Sequence, residues 1–371
     1  MYSQNAPFHA DVVGSYLRPE ELKANRAAFE AGSIDADALK AVEDRLITDL
    51  VAKQKAAGLH VITDGEFRRR WWHFDFMWGF NGVEQKEAAH RVAFHDEVTP
   101  GSTAAVVGKI DGQHHPFIEH FKFIKQFEDE NTVARQTMPS PAQTRFVLTG
   151  NASAYPYTDF YADDDALTAD IVAAYRTVIA DLYAAGCRNV QFDDCTWTRL
   201  CDPSVRERLG WSDEDAARLQ QENLDVINAV IADQPKDLVI NTHVCRGNFH
   251  STWLSSGGYA PVADKLFGEE NVNAYYLEFD DDRSGDFAPL AKVSGDKKVV
   301  LGLVTSKTPE LEDPEVIKAR IAEASQFVPL DRLCLSTQCG FASTEEGNKL
   351  TEDEQWAKIA LVNSIAQQVW G

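Results

Sequence analysis

The chain has 371 residues, with 36 Lys and Arg against 58 Asp and Glu, a formal net charge of −22. So acidic a surface repels phosphate backbones and anionic lipid, which sets nucleic-acid and membrane partners aside. Hydrophobic residues at 44% and aromatic residues at 10% supply a large core and exclude a disordered chain.

In chain order, short apolar runs alternate with helical stretches. The runs cover 10–14, 60–64, 131–138, 189–193, 238–243, 273–278, 298–303 and 331–337, eight expected strands. Helical periodicity falls at 34–57, 165–185, 213–232, 314–327 and 356–369, with Gly58 and Gly186 as stops for the first two. Strands alternating with helices predict parallel pairing through right-handed crossovers, and at this length a single (β/α)8 TIM barrel over 1–371. Residues 67–130 fit the repeat least and read as an insertion after the second strand. They carry an expected hairpin that pairs VAFHDEV with AAVVGKI around Pro100 and Gly101. Within the insertion Trp72, Phe74, Phe76, Trp78 and Phe80 fall on even positions, the period of a strand with one buried face. They read as packing, or as an aromatic wall for a second substrate. Arg68, Arg69 and Arg70 beside them read as partners of an anionic donor group, or of nearby acids. No apolar run reaches about 18 residues, and the first residues lack a basic start followed by an apolar stretch. Six cysteines are too few for a disulfide scaffold. The expected location is the cytoplasm.

Barrel strands converge at their C-terminal ends, where sites are built. Those ends offer Ser15, Asp64, Glu66, Ser140, Asp193, Asp194, His243, Cys245, Glu278, Thr305 and Cys339. Residues i and i+2 of an extended segment share a face, so His243 and Cys245 can reach one ion. Zinc accepts imidazole, thiolate and carboxylate in a tetrahedron, which makes His243, Cys245, Glu278 and Cys339 a candidate zinc site. Singly these residues have ordinary readings: Glu278 as a mouth carboxylate, Cys339 as a small buried hydrophobe. Cys187, Cys195, Cys201 and Cys334 read as structural, with Cys195 the nearest competitor for a ligand position.

The ordered motifs VGSYLRP, VITDGEFRR, QFDD, NTHVCRGN, YYLEFDD, GLVTSKTPELE and LSTQCGF resemble the catalytic domain of cobalamin-independent methionine synthases, above all the short single-domain members. The resemblance implies a barrel whose zinc activates a thiol, usually homocysteine, for methyl transfer. It implies His243, Cys245, Glu278 and Cys339 as zinc ligands; as the harder donor, Glu278 either stays bound or yields its place to the substrate sulfur. Ser15 and Glu66 match positions that hold the amino-acid end of homocysteine, and Asp194 lies in the segment where an acidic residue grips the substrate amine; with Asp193 beside it, the pair would bind the ammonium. The implied donor is methyltetrahydrofolate or a methyl-corrinoid, the latter carried by a corrinoid protein. Two other readings share the ligand pattern. An epoxide:thiol transferase acting on a sulfonated thiol calls for basic residues where Glu66 and Asp194 stand, and a non-catalytic zinc-binding barrel calls for a closed site of near-neighbour cysteines.

Overall fold

The computed structural model describes residues 6–88, 92–99 and 101–371. Ten strands are β1 (Val61–Ile62), β2 (Asn81–Glu87), β3 (Ser102–Asp111), β4 (Val133–Ala134), β5 (Gln136–Pro139), β6 (Asn189–Asp194), β7 (Val239–Val244), β8 (Ala274–Glu278), β9 (Lys298–Val304) and β10 (Leu333–Thr337). Strands β5 to β10 pair in parallel, each with its successor. Strand β1 pairs in parallel with β4, which runs through Arg135 into β5. The first expected strand survives as one parallel bridge, Ala10 to Leu335. On its other side the Thr63 hydroxyl donates to Gly14 O at 2.6 Å, and Tyr16 N–H donates to Gly65 O at 3.1 Å. Eight parallel segments thus follow one another around a (β/α)8 barrel.

Helices begin where side chains satisfy their free N–H groups. Asp35 caps Ala36–Ala56, Asp163 caps Asp164–Ala184, and Ser212 with Asp215 forms a capping box for Asp213–Ile231. Thr351 and Glu354 do the same for Glu352–Trp370, which therefore starts four residues before the expected 356. The acidic run 352–354 is its first turn, where negative charge meets the helix dipole favourably. Sequence periodicity missed Glu20–Glu30, Phe117–Lys125 and Pro141–Gly150, the last capped by Ser140. Among the described residues no helix is long and apolar enough to cross a membrane.

Between 67 and 130 the chain differs from expectation in two ways. The hairpin partner of β3 is β2, not the 92–98 segment, which instead closes on itself through an Ala93–Val98 bridge. Residues 89–91 and 100, part of the expected turn, lie outside the described residues. The aromatic stretch is also no strand: Phe74–Met77 is a helical turn held by Asp75, which accepts from Trp71 and Arg70 N–H. Short-range alternation of large aromatics is satisfied equally by a turn that buries Phe74, Phe76 and Phe80 against the barrel's helices.

Strand parity sorts the side chains. Tyr275, Leu277, Leu301 and Leu335 point outward to the helix layer, while Asp11, Arg135 and Tyr276 meet inside. The Arg135 guanidinium lies 2.9 Å from Asp11 Oδ1 and 2.7 Å from the Tyr276 hydroxyl, with both charged side chains shut off from solvent. Asp11 also accepts from Phe8 N–H and Val12 N–H, so it ties the first segment to the rest of the barrel. Asp11→Ala strands a buried cation and is expected to cost about 3–5 kcal/mol in a urea denaturation series. A loss under about 1 kcal/mol shows that the pair does not hold the first segment in place.

Candidate metal centre

His243, Cys245, Glu278 and Cys339 are all buried, and one donor atom from each lies within 4.8 Å of the others. His243 and Cys245 straddle the end of β7, Glu278 ends β8, and Cys339 follows β10 after a register shift between Ser336 and Thr337. Bulges at strand ends re-aim side chains, and this one lies two residues before Cys339. The His243 ring sets its Nδ1 at 3.2 Å from Tyr276 O. Donation there leaves the lone pair on Nε2, a buried atom with no hydrogen-bond partner. The two sulfurs stand 3.8 Å apart as free thiols, and Gly247 N–H donates to Cys245 Sγ at 3.3 Å.

Charge around this cluster is uneven. Contact with Cys195 and burial push the Cys245 thiol well up; contact with Cys245 and burial do the same to Cys339. Glu278 goes the other way: burial would raise it, but Lys307 and Arg283 outweigh burial and hold it below the usual carboxylate range. Its Oε1 accepts from Arg246 N–H at 2.6 Å, and its Oε2 lies 3.1 Å from Arg283 and 3.8 Å from Lys307. Two thiols that cannot ionise together in a dry site, a bare imidazole nitrogen and an anchored carboxylate form a donor set for a divalent cation of intermediate softness. The sequence named all four members of the cluster. It did not reveal Arg283 or the role of Lys307, because nothing in their spacing marks a charge that acts across loops.

His243, Cys245 and Cys339, but not Glu278, line a pocket that also exposes Ser15, Glu66 and Asp193. A β-carbon added at Gly340 would fall 1.9 Å from Ser15 Oγ, so glycine lets the Cys339 loop close on the Ser15 segment. Glu66 has a left-handed backbone, φ 62°, fixed by its N–H on Asp64 Oδ1 at 2.8 Å and by Arg18 on its carbonyl at 2.8 Å. Its Oε1 accepts from Thr137 at 2.9 Å and faces Arg69 at 3.3 Å, while Oε2 is buried without a partner. Burial raises Glu66; burial and the Glu66 charge raise Asp193 well above the usual carboxylate range. Two such groups on one wall invite a cation.

Asp194 is a correction. It was expected to face substrate beside Asp193, but successive residues of β6 point to opposite sides. Its carboxylate accepts from the Ser140 hydroxyl and from Thr196 N–H at 2.5 Å and Oγ1 at 2.6 Å, on the helix side of the sheet. Ser140, Asp64 and Thr305 likewise serve local capping and loop contacts and do not line the pocket. Cys195 packs against Cys245 and Cys339 without joining the four-residue donor set, whereas Cys187, Cys201 and Cys334 are buried thiols pushed up to about 12. Arg68 pairs with Glu43 and Asp44, and Arg70 with Glu30 and Glu345, so these arginines balance neighbouring acids.

Against known proteins, residues 126–364 match the family model described as the catalytic domain of cobalamin-independent synthase. The uncharacterized Bacillus subtilis (strain 168) protein YxjH is 44% identical over 368 residues, covering 99% of this chain and 96% of that protein. A Listeria monocytogenes structure, solved as a candidate vitamin-B12 independent methionine synthase, superposes with a TM-score of 0.79 at 41% identity over 100% of both chains. The B12-independent methionine synthase of Shewanella sp. W3-18-1, solved in complex with selenomethionine, shares the fold with a TM-score of 0.74 at 20% identity over 98% of both chains.

A raised carboxylate pKa in the folded state means that stability is lost as pH rises through that pKa. Asp193→Asn is therefore expected to raise the melting temperature of the ligand-free protein at pH 8 by about 2 °C or more, with the gain shrinking toward pH 5. A variant that melts lower at pH 8 shows instead that Asp193 already has a stabilising partner.

Proposed function

Because the chain belongs to the cobalamin-independent synthase catalytic-domain family, we propose that it is a zinc-dependent methyltransferase that methylates the thiol of homocysteine to give methionine. The observation that carries this reading is a pocket lined both by three of the four clustered donors, His243, Cys245 and Cys339, and by Glu66 and Asp193. A thiol amino acid spans those two features: sulfur toward Cys245 and Cys339, ammonium toward the carboxylates. His243, Cys245, Glu278 and Cys339 would hold the zinc, which fits the bare Nε2 and the sulfur-rich donor set. A zinc ion held there would keep a substrate thiol ionised at neutral pH while leaving the sulfur nucleophilic.

The remaining work belongs to this chain's own groups. Glu66 and Asp193 accept the substrate ammonium, a charge-assisted contact that also relieves their mutual repulsion. Arg283, Lys307 and the Arg246 N–H keep Glu278 ionised and fix its direction. Trp72, Phe74 and Phe249 shut one side of the pocket against water, which favours two substrates aligned in line. In this reading one barrel carries the whole site, and residues 67–130 form an insertion that walls it. The donor is taken as a methyl-folate, in keeping with a family described as cobalamin-independent. The acidic pair speaks against the epoxide:thiol alternative, since a sulfonated thiol would meet Glu66 and Asp193 as like charges. The pocket that reaches the ligands speaks against a closed structural zinc.

Metal analysis of the purified protein is expected to find about one zinc per chain. Cys245→Ser should lose the metal and at least about a hundredfold in methionine formation from homocysteine, assayed with methyltetrahydrofolate mono- and polyglutamates and with methylcobalamin. Undiminished methyl transfer by a zinc-free Cys245→Ser enzyme would sink the proposal. On the acid side the Michaelis constant for homocysteine should rise as Glu66 and Asp193 protonate, beginning above the ordinary carboxylate range. A Michaelis constant flat down to pH 5 would detach these residues from the substrate amine.

A further inference from the structure

Beneath the pocket, one buried amide joins two of its walls. Gln191 lies on β6 two residues before Asp193, on the same face of the strand, and is shut off from solvent. Its Nε2 donates at 2.8 Å to Asp193 Oδ1 and at 2.8 Å to Val13 O. Val13, Ser15 and Asp193 line the pocket, and Gln191 stands behind them. Both amide hydrogens are thus committed to oxygen acceptors, and a flipped amide would set its own oxygen against two others. Asn241, the register partner of Gln191 on β7, does not compete: neither atom of its amide has a partner among the described residues. Burial and the Glu66 charge work against an ionised Asp193, and the Gln191 bond works for it.

We propose that Gln191 is a positioning residue for substrate recognition: by holding Asp193 and the 13–15 segment at one spacing, it makes the pocket select a thiol that carries an amino group. The inference rests on the ammonium reading of Glu66 and Asp193 given above. An ammonium gains most from a carboxylate oxygen already in place, because the ordering cost is then met before binding. With Oδ1 held by Gln191, the Asp193 carboxylate cannot turn freely, and Oδ2 is left for the incoming N–H. The same amide fixes the Val13 carbonyl, so the segment leading to Ser15 keeps its distance from Asp193. Gln191 touches no substrate in this arrangement. Its effect passes through Asp193 and must vanish when residue 193 cannot hold an ammonium.

The test measures equilibrium binding of two thiols to the zinc-loaded protein by calorimetry. One is homocysteine; the other is 4-sulfanylbutanoate, which has the same chain and carboxylate without the amine. Gln191→Met, close in volume but without a donor, is expected to weaken homocysteine at least about tenfold and 4-sulfanylbutanoate less than about twofold. In an Asp193→Asn background the same substitution is expected to change homocysteine binding less than about twofold. This cycle decides alone if 4-sulfanylbutanoate binds too weakly to measure. Circular dichroism and zinc content establish that the variants fold. Gln191→Asn, whose amide is too short to span both acceptors, carries the comparison if Gln191→Met does not fold. Homocysteine binding indifferent to residue 191 overturns the proposal. So does an equal loss for both thiols, or an undiminished loss in the Asp193→Asn background, either of which would assign Gln191 to the framework of the barrel. Wild-type protein that takes up neither zinc nor homocysteine overturns the methyltransferase reading and this proposal with it, a result distinct from binding that ignores residue 191.

Discussion

Two thiols, an imidazole and a carboxylate packed within 4.8 Å of one another, away from water, cannot all adopt their ligating forms without a cation among them. That constraint shapes its surroundings. Tyr276 turns the imidazole so that its free nitrogen faces inward, Gly247 supports one sulfur, and Arg283 with Lys307 compensates the carboxylate from outside. Gly247, Arg283 and Lys307 favour ionised forms of Cys245 and Glu278 that burial alone would suppress, while the Tyr276 carbonyl fixes the direction of the ring.

The same pocket places an electrostatic demand on what enters it. Burial raises the Glu66 carboxyl, and burial with the Glu66 charge raises Asp193, so a positive group between them would relieve both. Arg199 lines the same pocket with its Nε buried and unpartnered. In the proposed function, the substrate ammonium would bring the charge that the two carboxylates lack. This is the common trade between stability and binding, in which the folded chain tolerates unpaired groups so that ligands can satisfy them.

The barrel makes these placements cheap to maintain. Parallel strands ending at one rim bring β6, β7, β8 and β10 together, and side-chain alternation decides which residue of each faces inward. Asp193 and Asp194 show how sharp that rule is: one step along β6 moves a carboxylate from the pocket to a capping contact with Ser140 and Thr196. The Asp11–Arg135 pair and the tight approach of Gly340 to Ser15 then close the first segment onto the last.

Much of this was legible along the chain. Seven of the eight expected strands appear as ladders near their expected places because hydrophobic runs and helix caps are local signals. The eighth shrinks to a bridge at Ala10, its main partners being side chains rather than a neighbouring ladder. The hairpin partner of β3 was misplaced because alternation in 92–98 and in β2 is equally good locally, and pairing is decided by what each strand packs against. The four members of the cluster were readable from residue type and strand-end position. The direction of Asp194, the charges that hold Glu278 and the unpartnered Nε of Arg199 were not, since each depends on distances between residues far apart in sequence, and only the folded chain sets those distances.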